Sequence, residues 1–220
     1  MTKENVLLTR PLPGLFFRYV APAMAAMVLD GIQGIIDGIF IGNYVGADAM
    51  ASVNIANPYY QIIIGSSMVI CSGTMSAAGR ALGAGDEKRA KDIYHSALLV
   101  LAAISVALML AGIFGQRVIA RLLGASPALL ENSCRYIRAL AVFVPAISFK
   151  ILFGFSGRLI GRPQLYLAGT VTTISSNIFL DYLAVGVLGL GTAGAAGATG
   201  LAYLAGLLVV VRPLLRRETV

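Results

Sequence analysis

Tryptophan is absent, histidine occurs once, cysteine twice, and charge is scarce: 12% of the 220 residues are Asp, Glu, Lys or Arg. A soluble domain carries about 25% charged residues, so an ordinary globular domain is excluded. Cys71 and Cys134 both fall in or near apolar stretches without metal-ligand company, which excludes a disulfide framework and assigns them to packing. His95 stands at the start of another apolar stretch and reads as an interfacial or packing residue rather than a proton relay. There is no nucleophile–base pairing, no phosphate-cradling loop and no zinc ligand set, which leaves no case for an enzyme, a catalytic residue, an organic cofactor or ATP-driven chemistry.

What the chain does have is long uncharged runs: 49–79, 93–116, 163–180 and 182–211. About 20 apolar residues at 1.5 Å rise each cross the hydrocarbon core as a helix. Membrane strands would show shorter segments of alternating polarity, and none is present. The expectation is an all-α polytopic membrane protein, a bundle of six transmembrane helices with spans at 17–41, 53–79, 92–116, 132–157, 164–186 and 191–211. Gly42-Asn43, Gly83-Ala84-Gly85-Asp86, the 124–127 stretch, Gly161-Arg162-Pro163 and the uncharged 186–191 link supply the loop chemistry.

The formal charge of +7 points to a membrane topology rather than to nucleic acid. If the N-terminus is inside, that side collects Lys3, Arg10, Arg18, the Arg80–Lys91 loop, Arg158, Arg162 and the bases from Arg212 onward. The other side has Arg117, Arg121, Arg135 and Arg138. Basic residues gather in cytoplasmic loops, so both termini are expected inside a cytoplasmic (inner) membrane. Residues 1–10 lack the cleavage-site pattern of a secretory signal.

Acidic residues inside the spans are the informative exceptions. A carboxylate at the centre of a spanning helix costs roughly 2.5–3.5 kcal/mol on insertion scales, and such residues turn to a polar interior. Asp30, Gln33 and Asp37 are spaced by three and four and share one face of the first span. That face should line a cavity, unless a buried base such as Lys150 neutralises a carboxylate. Asn177 and Asp181 share a face of the fifth span, with Asp181 at a depth similar to that of Asp37. Thr199 lies about two turns into the sixth span, with Ala195 one turn before it. Depth alone lets two carboxylates, an amide and a hydroxyl converge. Such hard oxygens suit a hard cation, and two neighbouring carboxylates can equally share a proton. Na+ and H+ would compete for the same oxygens, and either can drive transport if it favours one conformation over another.

The order and spacing of several motifs sharpen this. Asp37-Gly38-Ile39-Phe40-Ile41-Gly42 is followed by Val45-Gly46-Ala47 and Asn57-Pro58. Gly83-Ala84-Gly85-Asp86 precedes Arg89-Ala90. Then come Arg158-Leu159-Ile160-Gly161-Arg162-Pro163, Asn177-Ile178-Phe179-Leu180-Asp181 and Gly194-Ala195-Ala196-Gly197-Ala198-Thr199. Through them the whole chain, 1–220, resembles the N-terminal lobe of multidrug and toxic compound extrusion (MATE) transporters. The resemblance implies a cation or proton site of Asp37, Asn177, Asp181 and Thr199, joined by the Ala195 carbonyl. These would be the metal ligands if sodium is the coupling ion. It also implies a first-span bend at Pro22, where a missing backbone N–H favours kinking. Asp30 departs from the family, which often has an uncharged residue there; with Gln33 it would border the substrate cavity.

The function expected is one lobe of an ion-coupled (H+ or Na+) antiporter that exports drug-like organic cations or other xenobiotics by alternating access. Its partners would be the lipid bilayer, a cationic or amphiphilic small molecule and a second six-span C-lobe absent from these residues; acidic cavity walls favour cations. A lipid-linked flippase of the wider superfamily is the alternative, but it would need bases in the cavity to hold phosphates; Lys150 leaves a small opening for it. A non-transporting remnant is the third reading.

Overall fold

A chain that crosses lipid must satisfy its backbone hydrogen bonds within each segment, and helices do so. The computed structural model describes residues 12–159, 162 and 164–215, and among these every regular element is helical. Helix α1 spans Leu12–Tyr44. It ends at a turn in which Gly46 adopts φ 108°, a conformation open to glycine, and α2 follows at Ala47–Gly83. Pro58 lies inside α2 without ending it. Gly85, at φ 79°, turns the chain again. Asp86 then caps α3, Glu87–Leu122, its carboxylate accepting the Arg89 N–H at 2.9 Å.

The expected 132–157 span is two helices. α4 covers Leu130–Ala141 and α5 Val144–Leu159, and the pair bends by 51°. Pro145 is the cause: it has no N–H to bond to the Ala141 carbonyl, so the helix cannot run through. α6 spans Gln164–Asp181 and passes directly into a π-helical segment, Tyr182–Val187. A tight turn with Gly189 and Gly191 at φ 62° and 61° leads to α7, Gly191–Leu215. Met24–Tyr44, Ala47–Gly83, Glu87–Leu122 and Gly191–Pro213 are each long and apolar enough to cross a membrane. The bent α4–α5 pair passes the same test as one unit.

α7 is the centre of the bundle, packed against α4, α5 and, most extensively, α6. Its small residues allow this. A side chain at Gly200 would run into the Phe143 ring, and one at Gly112 of α3 would run into Tyr59 and Ala141. Close backbone approach through small residues is how helices associate in lipid. The main apolar core gathers Ile63, Leu101, Ile137, Leu140, Ile147 and Leu152 from four helices. Large apolar side chains such as Val69, Leu99 and Phe114 remain exposed, at 74%, 73% and 81%. In water such faces would aggregate; they suit an apolar surrounding. α1 packs chiefly on α6 at the edge of the bundle.

Candidate functional site

In the middle of α1 a polar side chain faces protein while neighbouring isoleucines face outward. Gln33 is 5% exposed, whereas Ile32, Ile35 and Ile39 are 42%, 66% and 56% exposed. That inward face borders a cavity of about 310 Å³ enclosed by α1, α2, α4 and α7. Gln33 and Asp37 form one wall, and Ala195 and Thr199 form another. Neither lysine nor arginine is among the lining residues, so the described wall carries a negative electrostatic bias.

Behind this wall, α6 places Asn177 and Asp181 one turn apart, both fully buried. The Asp181 carboxylate lies close enough to Asp37 for direct charge coupling, and the Asn177 amide adjoins it. Yet Asp37 Oδ1, both Asp181 oxygens, and Asn177 Oδ1 and Nδ2 are buried without a protein hydrogen-bond partner. Buried polar side chains are normally paired, and leaving one unpaired costs about 1–3 kcal/mol. Four of these atoms are oxygens and the fifth is an amide nitrogen; the oxygens, converging from two helices, form a socket of hard ligands. On α7, the Thr199 hydroxyl donates to the Ala195 carbonyl at 3.1 Å, which leaves lone pairs on both oxygens. Asp37 is the common member: it shares the cavity with Thr199 and Ala195, and the buried cluster with Asn177 and Asp181. Among the described residues no group of three His, Cys, Asp or Glu side chains gathers. Carboxylate, amide and hydroxyl oxygens are hard ligands, and two adjoining carboxylates can also share a proton.

Some residues escaped the sequence reading. Tyr136 of α4 lines the cavity and lies within electrostatic reach of Asp37, Asp181 and Tyr60. Tyr60 and Tyr203 share a hydrogen bond of 2.6 Å across the cavity wall. Asn54, Asn57 and Gln61 of α2 also line it. Their spacing of three and four matches that of Asp30, Gln33 and Asp37, so the same periodicity argument could have found them. Tyr136 carried no such signal, because the bend at Val142–Phe143 decides where α4 points. Lys150 is 2% exposed, donates to the Thr170 hydroxyl at 3.2 Å and stands over the rings of Tyr166 and Tyr203 at 5.4 and 5.1 Å. The side chains of Asp30 and Pro22 lie outside the described residues. Cys71 and Cys134 are free, buried thiols, and His95 is exposed.

The fold and its cavity have known counterparts. The MatE family profile matches residues 22–183. Multidrug export protein MepA of Staphylococcus aureus is 27% identical over 191 residues, which is 86% of this chain and 42% of MepA. MepA of Staphylococcus saprophyticus is 26% identical over 203 residues, 92% of this chain and 45% of that protein. The chain spans less than half the length of these curated relatives. Among solved structures, a MATE transporter in complex with MaL6 superposes on all of this chain and 49% of its own, with TM-score 0.90 and 25% identity. An outward-facing MATE family transporter of the MOP superfamily covers 92% of this chain and 45% of its own, with TM-score 0.84 and 26% identity.

Proposed function

The chain belongs to the MatE family, and we propose that it forms the N-terminal lobe of an ion-coupled antiporter that exports drug-like organic cations. Asp37, Asn177, Asp181, Thr199 and the Ala195 carbonyl are its cation or proton site. The observation that carries this reading is the buried, unpartnered set of polar atoms on Asp37, Asn177 and Asp181 beside a polar cavity. A fold that leaves five polar atoms unsatisfied in its interior is stabilised by whatever satisfies them. A proton shared between the two carboxylates does so, and so does Na+ held by their oxygens.

The mechanism follows from that competition. With the site empty, two neighbouring carboxylates repel at low local dielectric. Loading a proton or Na+ removes the repulsion and draws α1 toward α6. Asp37 sits both in the cavity wall and in the ion cluster, so a shift of α1 changes the cavity and the ion site together. Ion occupancy can therefore bias which side the cavity opens to, by as much as its affinity differs between the two states. A negative wall with the tyrosines of α2, α4 and α7 favours a cationic, partly aromatic substrate through charge and cation–π attraction. The second lobe would close the remaining side, with both termini of this lobe in the cytoplasm.

The test is transport by the complete two-lobed protein in proteoliposomes with an imposed sodium or pH gradient. Asp37→Asn and Asp181→Asn are each expected to abolish gradient-driven efflux while the protein still inserts and purifies as a folded species. Normal efflux by both variants would overturn the assignment. The gradient that drives the unmodified protein identifies the coupling ion.

A further inference from the structure

A second cavity lies at the opposite functional pole, where α2 ends and α3 begins. It measures about 250 Å³, and its charged lining residues are Arg80, Asp86 and Arg89. Ala77, Ala81, Ala84 and Ile93 complete it. Arg80 and Arg89 are exposed, and neither takes part in an ion pair among the described residues. Among the described residues no ion pair joins the Asp86 carboxylate to either arginine; its Oδ1 accepts the Arg89 backbone N–H at 2.9 Å. Two guanidinium groups and one carboxylate leave the cavity with a net single positive charge.

The surroundings say what chemistry would enter. The 86–92 stretch, with Asp86, Glu87, Lys88, Arg89, Lys91 and Asp92, interrupts two membrane-spanning helices, so the cavity lies at a bilayer surface. Positions eleven apart on a helix differ by about 20° around the axis and about 16 Å along it. Val69 therefore sits below Arg80 on the same face of α2, and Val100 below Arg89 on α3. Both are exposed, at 74% and 50%. Between each arginine and its valine the face carries small residues, Ser72, Gly73 and Ser76 on α2 and Ser96 on α3. Paired guanidiniums bind phosphate oxygens bidentately.

We propose that Arg80 and Arg89 form a binding site for the phosphodiester headgroup of a monoanionic phospholipid. One phosphodiester balances the cavity's charge, and the small floor of Ala81 and Ala84 leaves room for the headgroup. The site is separate from the ion cluster and rests on the membrane placement alone, not on the transport reading.

Native mass spectrometry of the full chain released from detergent tests it, with phosphatidylglycerol, phosphatidylcholine or inorganic phosphate added. The expected result is phosphatidylglycerol retained at least several-fold above phosphatidylcholine, falling to the phosphatidylcholine level in the Arg80→Gln/Arg89→Gln double variant. Lys88→Gln/Lys91→Gln, which removes as much charge from the same loop outside the cavity, should keep most of that retention. Equal loss in both double variants would mean diffuse attraction to basic loop residues and would overturn the site. Retention of inorganic phosphate as strong as that of the lipid would also overturn it, in favour of a free-phosphate pocket. If the Arg→Gln pair fails to fold, Arg80→Lys/Arg89→Lys replaces it, with an intermediate loss expected from weakened bidentate contact and unchanged retention counting against the proposal.

Discussion

The two halves of this bundle treat buried polar groups in opposite ways. Where α2, α3 and α5 meet, the buried polar side chains that cross a helix interface among the described residues find partners. Ser67 donates to the Ser148 hydroxyl at 2.9 Å, Tyr59 to the Leu108 carbonyl at 2.8 Å, and Tyr94 and Ser156 share a bond of 2.7 Å. Where α1 meets α6, Asp37, Asn177 and Asp181 keep five buried atoms without a protein partner. The first arrangement holds helices in register. The second, on the function proposed above, is where an ion would bind, because a site already satisfied by its own protein would have no affinity left for one. The comparison teaches that in a lipid-embedded fold the unsatisfied polar group, rather than the polar group as such, marks the working site.

The harshest test of this contrast is the carboxylate pair. Asp37→Asn or Asp181→Asn in the complete transporter should remove gradient-driven efflux outright, yet cost the folded state little, since each replacement removes an uncompensated charge. A variant that unfolds instead would place these residues with the structural group. The next largest effect belongs to packing. Gly200→Leu drives a side chain into Phe143, and overpacking of this kind costs about 1–3 kcal/mol. Thermal unfolding in detergent should show a clear drop, and an unchanged midpoint would mean that α5 and α7 can part without penalty.

Tyr136→Phe comes third. It removes one hydroxyl that lies within electrostatic reach of the carboxylate pair without bonding to it. Ion affinity should weaken measurably, read from the concentration dependence of driven transport, with thermal stability preserved. The smallest effect should come from Ser67→Ala. An interhelical hydrogen bond within a membrane contributes about 0.6 kcal/mol on average, so unfolding should shift slightly and transport not at all. Were Ser67→Ala to impair transport as strongly as Tyr136→Phe, the division between holding and working polar groups would collapse.

Much of this was legible from residue order. Uncharged runs announced helices in lipid, and the three-and-four spacing of Gln33 and Asp37 announced an inward polar face, which the burial of Gln33 matches. The same spacing at Asn54, Asn57 and Gln61 was equally readable on α2. Other features had no local signature. Pro145 signals a possible kink, but its 51° size depends on how α4 and α5 pack on α7. The π-helical segment after Asp181 lies in an unremarkable run, Tyr182–Val187. Tyr136 joins the carboxylates across more than forty residues of sequence on either side.

Composition by itself determined the solvent, the helical class and the few positions where oxygen-bearing side chains would have to turn inward, because lipid penalises charge and open backbone alike. Which of those oxygens meet was decided by the tertiary packing. Small residues on α7 bring α5 and α6 close, α6 sets Asp181 against Asp37 of α1, and the packing leaves Asp37 Oδ1 and both Asp181 oxygens buried without a hydrogen-bond partner.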